Sequence, residues 1–420
     1  MKNFAIIKNI KSRKIFDSRG SPTIEVEVIT ESSSGRASAP SGASRGRWEV
    51  VAYPSGGIDG AIEEVNESIS AGIKGLNACE QENIDEALHR IDGTENFSKI
   101  GGNTAYAVSM AVASAAANSR GLPLFQHLGR SSKSQIPLPL GNAIGGGMHA
   151  RGKKTDIQEF LVLPMKVNSF FQAAQANIKV HSTVQRVLER HGHTVGGKGD
   201  EGAWICDLET EEVLEVLSKA TENIANEMGV EVRIGLDMAA STLWDAKKEA
   251  YSYERDKKSL SKGEQIDFVI DLIEKYKLVY VEDPLHEEDF EGFSELTNKV
   301  KETLICGDDL FTTNVKRLSI GIEKSSANAI IIKPNQVGTI TDAYKTVELA
   351  RSAGYLPIAS HRSGDVCEPS LANLAIAFEC PIIKTGIVGG ERIVKINELI
   401  RIEELLSTEA KLAQIKFGKG

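Results

Sequence analysis

Six charged residues stand where short apolar runs end in the C-terminal half of the chain. Asp237 follows VEVRIGL, Glu282 follows LVYV, Asp308 follows TLICG, Lys333 follows AIII, His361 follows YLPIAS and Lys384 follows PII. Three carboxylates offer hard oxygen ligands, which suit Mg²⁺ better than zinc. Lysine, histidine and lysine would set a cationic, proton-transferring wall beside them. Partial burial, neighbouring cations and a metal would depress a lysine pKa and make a neutral amine available as a base. General acid or base work is worth roughly 10²- to 10⁴-fold, so most of the acceleration would come from metal and fixed cations stabilising developing charge.

These residues can act together only if the chain brings them to one place. From Glu282 onward the run ends recur about one strand, loop and helix apart, which is the period of a βα barrel. In such barrels the C-terminal strand ends face a single opening. Ser261 with Glu264 forms a capping-box pattern ahead of Ile266, Val269, Ile270 and Ile273, Asn314 can cap the next helix, and Gly354 can close the one after it. Helices alternating with all-apolar strands favour a parallel sheet covered on both faces. The longer gap between Asp237 and Glu282 holds a polar insertion, KKEAYSYERDKKSLSKG, expected at a surface.

The N-terminal part reads differently. Ile24, Val26 and Val28 alternate with Glu25 and Glu27, the pattern of a half-buried strand; Ile62, Val65, Ile69 and Ile73 recur at helical spacing, and a second helix through AYAVSMAVASAAANSR should close near Gly121. Prolines 123, 137 and 139 flank the polar stretch GRSSKSQ. The expectation is an α/β chain in two domains, an α+β domain over 1–132 and a βα barrel over 133–420, the latter close to the roughly 250 residues such barrels need.

With 41% hydrophobic and 25% charged residues the composition is that of a soluble globular protein. A net charge of −9 argues against phosphate-backbone binding as the main task, because nucleic-acid binding relies on a dense basic face. The five scattered cysteines suggest neither a disulfide framework nor a zinc site and fit a reducing cytoplasm. MKNFAIIKNIKSRK lacks the apolar core of a signal peptide, and no run reaches 18 apolar residues, so no membrane segment is expected.

Other segments carry weaker signals. In His361-Arg362-Ser363-Gly364 the guanidinium can grip phosphate or carboxylate with two prongs; a solvated loop is the competing reading. Ser41 to Gly46 and Gly145 to His149 are glycine-bounded and read as mobile loops able to close over a ligand, though neither is a P-loop or dinucleotide fingerprint. Glu159 in IQEF and Glu201 in GDEG are paired-acid candidates, with simple solvation as the alternative.

Taken with the stretches DSRGSPTIEVEV, PSGAS, IQEFLVLP, GDEG, GLDMAAS, VEDPLHEEDFEGF, GDDLFTTN, IIIKPNQVGT, SHRSG, IKTG and ERIVKINELIRIEEL, the chain resembles the enolase family over nearly its whole length. The resemblance implies an enolase-type βα barrel behind a capping domain, and Mg²⁺-dependent dehydration of 2-phosphoglycerate to phosphoenolpyruvate, a step of glycolysis and gluconeogenesis. Carried over by motif, Asp237, Glu282 and Asp308 would hold the first Mg²⁺, and Ser44 would bring in a second with the substrate. Lys333 would be the general base. Glu201, assisted by Glu159, would protonate the departing hydroxyl, and Lys384 would stabilise the enolate. Arg362 and Ser363 would clamp the phosphate, with His149 and His361 lining the pocket. A Lys or His base with Mg²⁺ is what the family's chemistry is known to use. The family is usually dimeric, sometimes octameric, so a homo-oligomer is expected.

Departures from the family pattern fall in the enclosing loops. Arg45 replaces the usual threonine, the stretch after Trp48-Glu49 is shortened, one extra residue lies between His149 and Glu159, and Lys153 and Lys154 add positive charge. They keep open a paralogue doing the same enolate chemistry on a related phospho- or phosphono-carboxylate. A non-catalytic scaffold is the remaining alternative, against which stands the gathering of like charges that a scaffold does not need.

Overall fold

The computed structural model describes residues 5–42, 46–130, 135–190, 197–415 and 417. Ser44 and Arg45, to which the sequence assigns a metal, substrate or specificity role, lie outside these residues. Among the described residues no helix is long and apolar enough to cross a membrane.

The chain opens with an antiparallel meander, β1 (Ile7–Phe16), β2 (Pro22–Thr30) and β3 (Ser34–Ser38), in spatial order 1-2-3. Ile24, Val26 and Val28 of β2 are fully buried, as their alternation predicts. The glutamate face is covered too: Arg13 of β1 pairs with both Glu25 and Glu27, so Glu25 is buried with its charge partnered. The apolar repeat from Ile62 to Ile73 is helical, with a π-helical stretch at Val65–Ile69 between α-helical segments. The alanine-rich helix Gly102–Arg120 ends where Gly121 turns left-handed at φ 62°. Its small side chains let it lie directly on β3, and Gly35 is required there because a Cβ would sit 2.0 Å from the Ala115 backbone nitrogen.

Eight strands then close a barrel: β4 (Leu138–Gly145), β5 (Glu159–Met165), β6 (Glu231–Asp237), β7 (Tyr280–Glu282), β8 (Leu304–Gly307), β9 (Ala329–Ile332), β10 (Leu356–Ser360) and β11 (Ile382–Lys384). They follow in that order, and β11 pairs with β4 to complete the ring. Successive residues of the apolar runs serve two cores. Leu140, Leu161, Tyr280, Cys306, Ile331 and Ile358 fill the barrel, while neighbours such as Ile330 and Ile332 face the surrounding helices. That double burial is why these strands read as unbroken apolar runs. The parallel barrel departs from the expected direction at one strand: β5 runs antiparallel to both β4 and β6.

The helix caps form as the sequence predicts. Glu264 N–H donates to Ser261 Oγ while Ser261 N–H donates to Glu264 Oε2, and Asn314 Oδ1 accepts from Lys316 and Arg317 N–H. The polar insertion is not merely surface. It folds into a three-stranded antiparallel sheet, Trp244–Asp245, Ala250–Tyr253 and Lys258–Ser261, whose Tyr251 and Tyr253 are buried, because their side chains alternate inward along the middle strand.

A buried carboxylate latches the N-terminal part to the barrel. Asp85 Oδ2 accepts from Thr341 Oγ1 at 2.6 Å and Thr341 N–H at 3.1 Å, at the N-terminus of helix Ile340–Ser352. Burial nonetheless pushes its pKa from 3.8 up to about 6. A carboxyl with a higher pKa folded than unfolded costs stability as pH rises: the cost grows between pH 3.8 and about 6 and is constant above. Asp85→Asn should therefore gain about 2–3 kcal/mol relative to the wild type between about pH 4 and pH 7, read by urea unfolding at both. A difference independent of pH would contradict this account of Asp85.

Candidate active site

The barrel places the six charged residues at one rim. Asp237, Glu282 and Lys384 are the last residues of β6, β7 and β11; Asp308, Lys333 and His361 each follow the last residue of β8, β9 and β10. Parallel register puts Glu282 beside Asp237. Because β5 is reversed, its first residue, Glu159, reaches the same rim and lies opposite Asp237. Loops supply the rest. His149 ends the short turn Gly147–His149, and Asp200 N–H donates to its carbonyl at 3.1 Å, strapping that turn to the loop carrying Glu201. The Gly145–His149 segment is thus a strand end and a bonded turn, not the free loop its glycines suggest.

A cleft of about 470 Å³ is lined by His149, Glu159, Glu201, Asp237, Asp308, Lys333, His361, Arg362, Ser363 and Lys384 among others. Glu282 lies beneath it, fully buried. Lys384 Nζ sits 2.6 Å from Glu282 Oε2, 2.9 Å from Asp237 Oδ2 and 3.2 Å from Glu159 Oε2. Burial works to lower its pKa, but these carboxylates outweigh it and hold the ammonium charged. Lys333 Nζ pairs with Asp308 Oδ2. Burial again works to lower the lysine, yet Asp308 raises it, so the carboxylate paired with the amine decides its charge in this arrangement.

The acids divide by environment. Burial and Glu201 raise Glu159. Glu201 itself is held well below the usual carboxylate range: burial would raise it, but hydrogen bonding from His361 and the charge-favouring His149 prevail. His149 Nδ1 lies 3.2 Å from Glu159 Oε1 and 3.7 Å from Glu201 Oε1, and His361 Nε2 lies 3.4 Å from Glu201 Oε1. Arg362 is not free either. Glu49 accepts from both its terminal nitrogens at 2.9–3.2 Å, and Asn335 Oδ1 accepts at 3.0 Å.

The donor set fits a divalent cation. Asp237, Glu282 and Asp308 present hard oxygens, and Glu282 Oε1 is buried with no hydrogen-bond partner among the described residues. The sets of potential ligand atoms drawn within 4.8 Å, however, are His149–Glu159–Glu201 and Asp283–Asp308–Asp309. Asp237 and Glu282 instead converge on Lys384. Burial and the neighbouring acids push Asp283 well up and Asp309 to about 8, so this corner holds an excess of carboxylate. Asp283, Asp309, Glu49 and Gln158 were not singled out from the sequence. The signal for the first two was the doubled acid in VEDP and GDD; for Gln158 it was its place beside Glu159.

Lys153 and Lys154, read as carriers of added positive charge, do not line the cleft. Lys153 is exposed near Asp207, and Lys154 spends its ammonium on the carbonyls of Gly147 and Ala150. Lys154 braces the loop.

Acids and amines at the rim of an eight-stranded barrel, capped by a separate α+β unit, define a barrel enzyme. Residues 133–420 match the family model "Enolase, C-terminal TIM barrel domain", and residues 7–128 match "Enolase, N-terminal domain". The chain is similar to the enolase of Methanosphaera stadtmanae, 52% identical over 404 residues covering 96% of this chain and 98% of the relative. It is similar to that of Methanothermobacter thermautotrophicus, 52% identical over 415 residues covering 98% and 100%. With the enolase of Archaeoglobus fulgidus it shares 48% over 402 residues, covering 96% and 98%. The chain belongs to the enolase family, whose members are carbon–oxygen lyases.

Proposed function

We propose that this chain catalyses the reversible dehydration of 2-phosphoglycerate to phosphoenolpyruvate through an enolate, with two Mg²⁺ ions per site. The observation that carries the reading is the meeting of Lys333 and Lys384 with Asp237, Asp308, Glu159 and Glu201 around one cleft, with Glu282 beneath it, in a chain about half identical to enolases over nearly its full length. Asp237, Glu282 and Asp308 would hold the first Mg²⁺ and Ser44 the second. The metals supply electrostatic stabilisation of the carboxylate dianion that forms when the C2 proton leaves.

The chain's own groups divide the remaining work. Lys333 takes the C2 proton once its carboxylate partner Asp308 is engaged elsewhere, since only then does burial prevail and lower the amine. Glu201, ionised between His149 and His361, passes to the leaving C3 hydroxyl a proton received from His149, whose imidazole its carboxylate neighbours push up, with Glu159 assisting. Lys384 remains charged and stabilises the enolate oxygen. Arg362, aligned by Glu49 and Asn335, and Ser363 receive the phosphate. The capping domain is assigned to 1–132 and the barrel to 133–420, and we place the protein in the cytoplasm as a homodimer or larger homo-oligomer.

The test is the appearance of phosphoenolpyruvate from 2-phosphoglycerate. Turnover is expected with Mg²⁺ and its loss, by at least ~10³-fold, on chelation with EDTA, restored by added Mg²⁺. A folded, Mg²⁺-supplied protein that makes no phosphoenolpyruvate would overturn this reading in favour of a related phospho- or phosphono-carboxylate.

A further inference from the structure

Arg392, near the start of helix Gly390–Leu406, is fully buried behind the cleft. Its guanidinium ties together the backbone of two site loops. Nη1 donates to the Arg362 carbonyl at 2.7 Å, and Nη2 donates to the carbonyls of Ser363 at 2.8 Å and Asp200 at 3.2 Å. Asp365 Oδ2, 3.1 Å from Nη1, balances the charge. One further contact is chemical: Nη1 lies 2.8 Å from His361 Nδ1.

A guanidinium has donors only and keeps its proton at any ordinary pH. The imidazole nitrogen facing it must therefore present a lone pair. A second donor, the Gly386 N–H at 3.3 Å, points at the same atom. With Nδ1 accepting, the one proton of a neutral ring belongs on Nε2, the nitrogen 3.4 Å from Glu201 Oε1. That distance is longer than a well-formed hydrogen bond, as active-site pairs often are before substrate binds.

We propose that Arg392 is a positioning residue that locks His361 as the neutral Nε2–H tautomer, making it a fixed hydrogen-bond donor to Glu201 and not a proton-transferring group. The cationic wall read from the sequence then consists of Lys333 and Lys384 alone on this side. Burial, with Arg392 nearby, keeps the His361 pKa down to about 4, in keeping with the geometry. His149, on the other flank of the same glutamate, is raised: burial opposes its charge, but Glu201 and Glu159 favour it. Glu201 thus lies between one histidine that cannot gain a proton near neutrality and one that can. The consequence for catalysis rests on Glu201 delivering the proton; the tautomer does not.

The experiment is ¹⁵N NMR of the full chain labelled at histidine nitrogens, with His361 assigned by comparison with His361→Gln. The wild type is expected to show His361 as Nε2–H, unchanged from about pH 6 to 8. An Nδ1–H tautomer, or an imidazolium titrating in that range, would overturn the proposal whatever the enzyme turns over. In Arg392→Gln the amide can accept as well as donate, so His361 should populate Nδ1–H or titrate. There kcat should fall on the order of 10²-fold with KM changed far less and a new acid limb in the pH profile. Arg392→Lys, which can only donate, should restore the Nε2–H signature. Arg392→Gln with the wild-type tautomer would also overturn it, and if neither variant folds, the wild-type spectrum still decides.

Discussion

Lys333→Ala is expected to lower kcat for 2-phosphoglycerate by at least ~10³-fold while leaving Mg²⁺ binding largely intact. The amine is half-buried in the cleft with Asp308 as its partner, so its removal takes away the group placed to accept the C2 proton and no metal-coordinating oxygen. A uniform binding contact would appear in KM; a group needed only as the proton moves appears in kcat. Phosphoenolpyruvate formation at saturating Mg²⁺, with calorimetric titration of Mg²⁺ into both proteins, measures the two effects separately. Near-wild-type turnover would remove Lys333 from the mechanism. Lost Mg²⁺ affinity with normal proton abstraction would reassign it to holding Asp308 in place.

Lys384→Met should damage both fold and turnover. The ammonium is shared by Asp237, Glu282 and Glu159, all nearly inaccessible to solvent. Removing one partner from a buried ionic cluster leaves uncompensated charge, at a cost of about 3–5 kcal/mol. The variant should therefore unfold at markedly lower urea than the wild type in EDTA. Added Mg²⁺ should recover part of the difference, since a cation among those acids replaces some of the lost charge. Turnover should not recover with it, because the enolate still lacks its fixed ammonium. A variant as stable as the wild type in EDTA would show that the three acids are neutralised by protonation and not by Lys384.

Arg392→Gln and Asp85→Asn probe smaller, more local terms of the same electrostatic arrangement. Asp85 and Arg392 share a logic: each is a buried charge whose hydrogen bonds join segments far apart in sequence, so each reports on how those segments are docked.

Much of the site was readable because it lies where strands stop. A residue that ends an apolar run in a repeating strand–helix pattern must emerge at the barrel rim; Glu282, Lys333 and Lys384 could be placed there from periodicity, and Asp237 from the end of its own apolar run. Glu159 could not. It begins its run, and on the parallel pattern the start of a strand belongs at the opposite end of the barrel. Only the reversal of β5 brings it opposite Asp237. Glu201 and His149 sit on loops with no periodicity to betray them; glycine-rich context marked them only as weak candidates, and their roles came from the motif resemblance. Arg392 and Glu49 carry no local signal, being one arginine and one glutamate among the chain's many charged residues.

The amino-acid sequence by itself determined which segments are strands and helices, that the strands are covered on both faces, and which charged side chains end them. Those are local properties, set by patterning, capping and the cost of burying polar groups. The tertiary structure alone decided strand direction at β5, the partnering of each ammonium and the hydrogen-bond partners of His361. Protonation followed from these, because a pKa depends on the charges within a few ångströms in space. In this protein those charges come from positions as distant along the chain as Asp237 and Lys384, or Glu201 and Arg392.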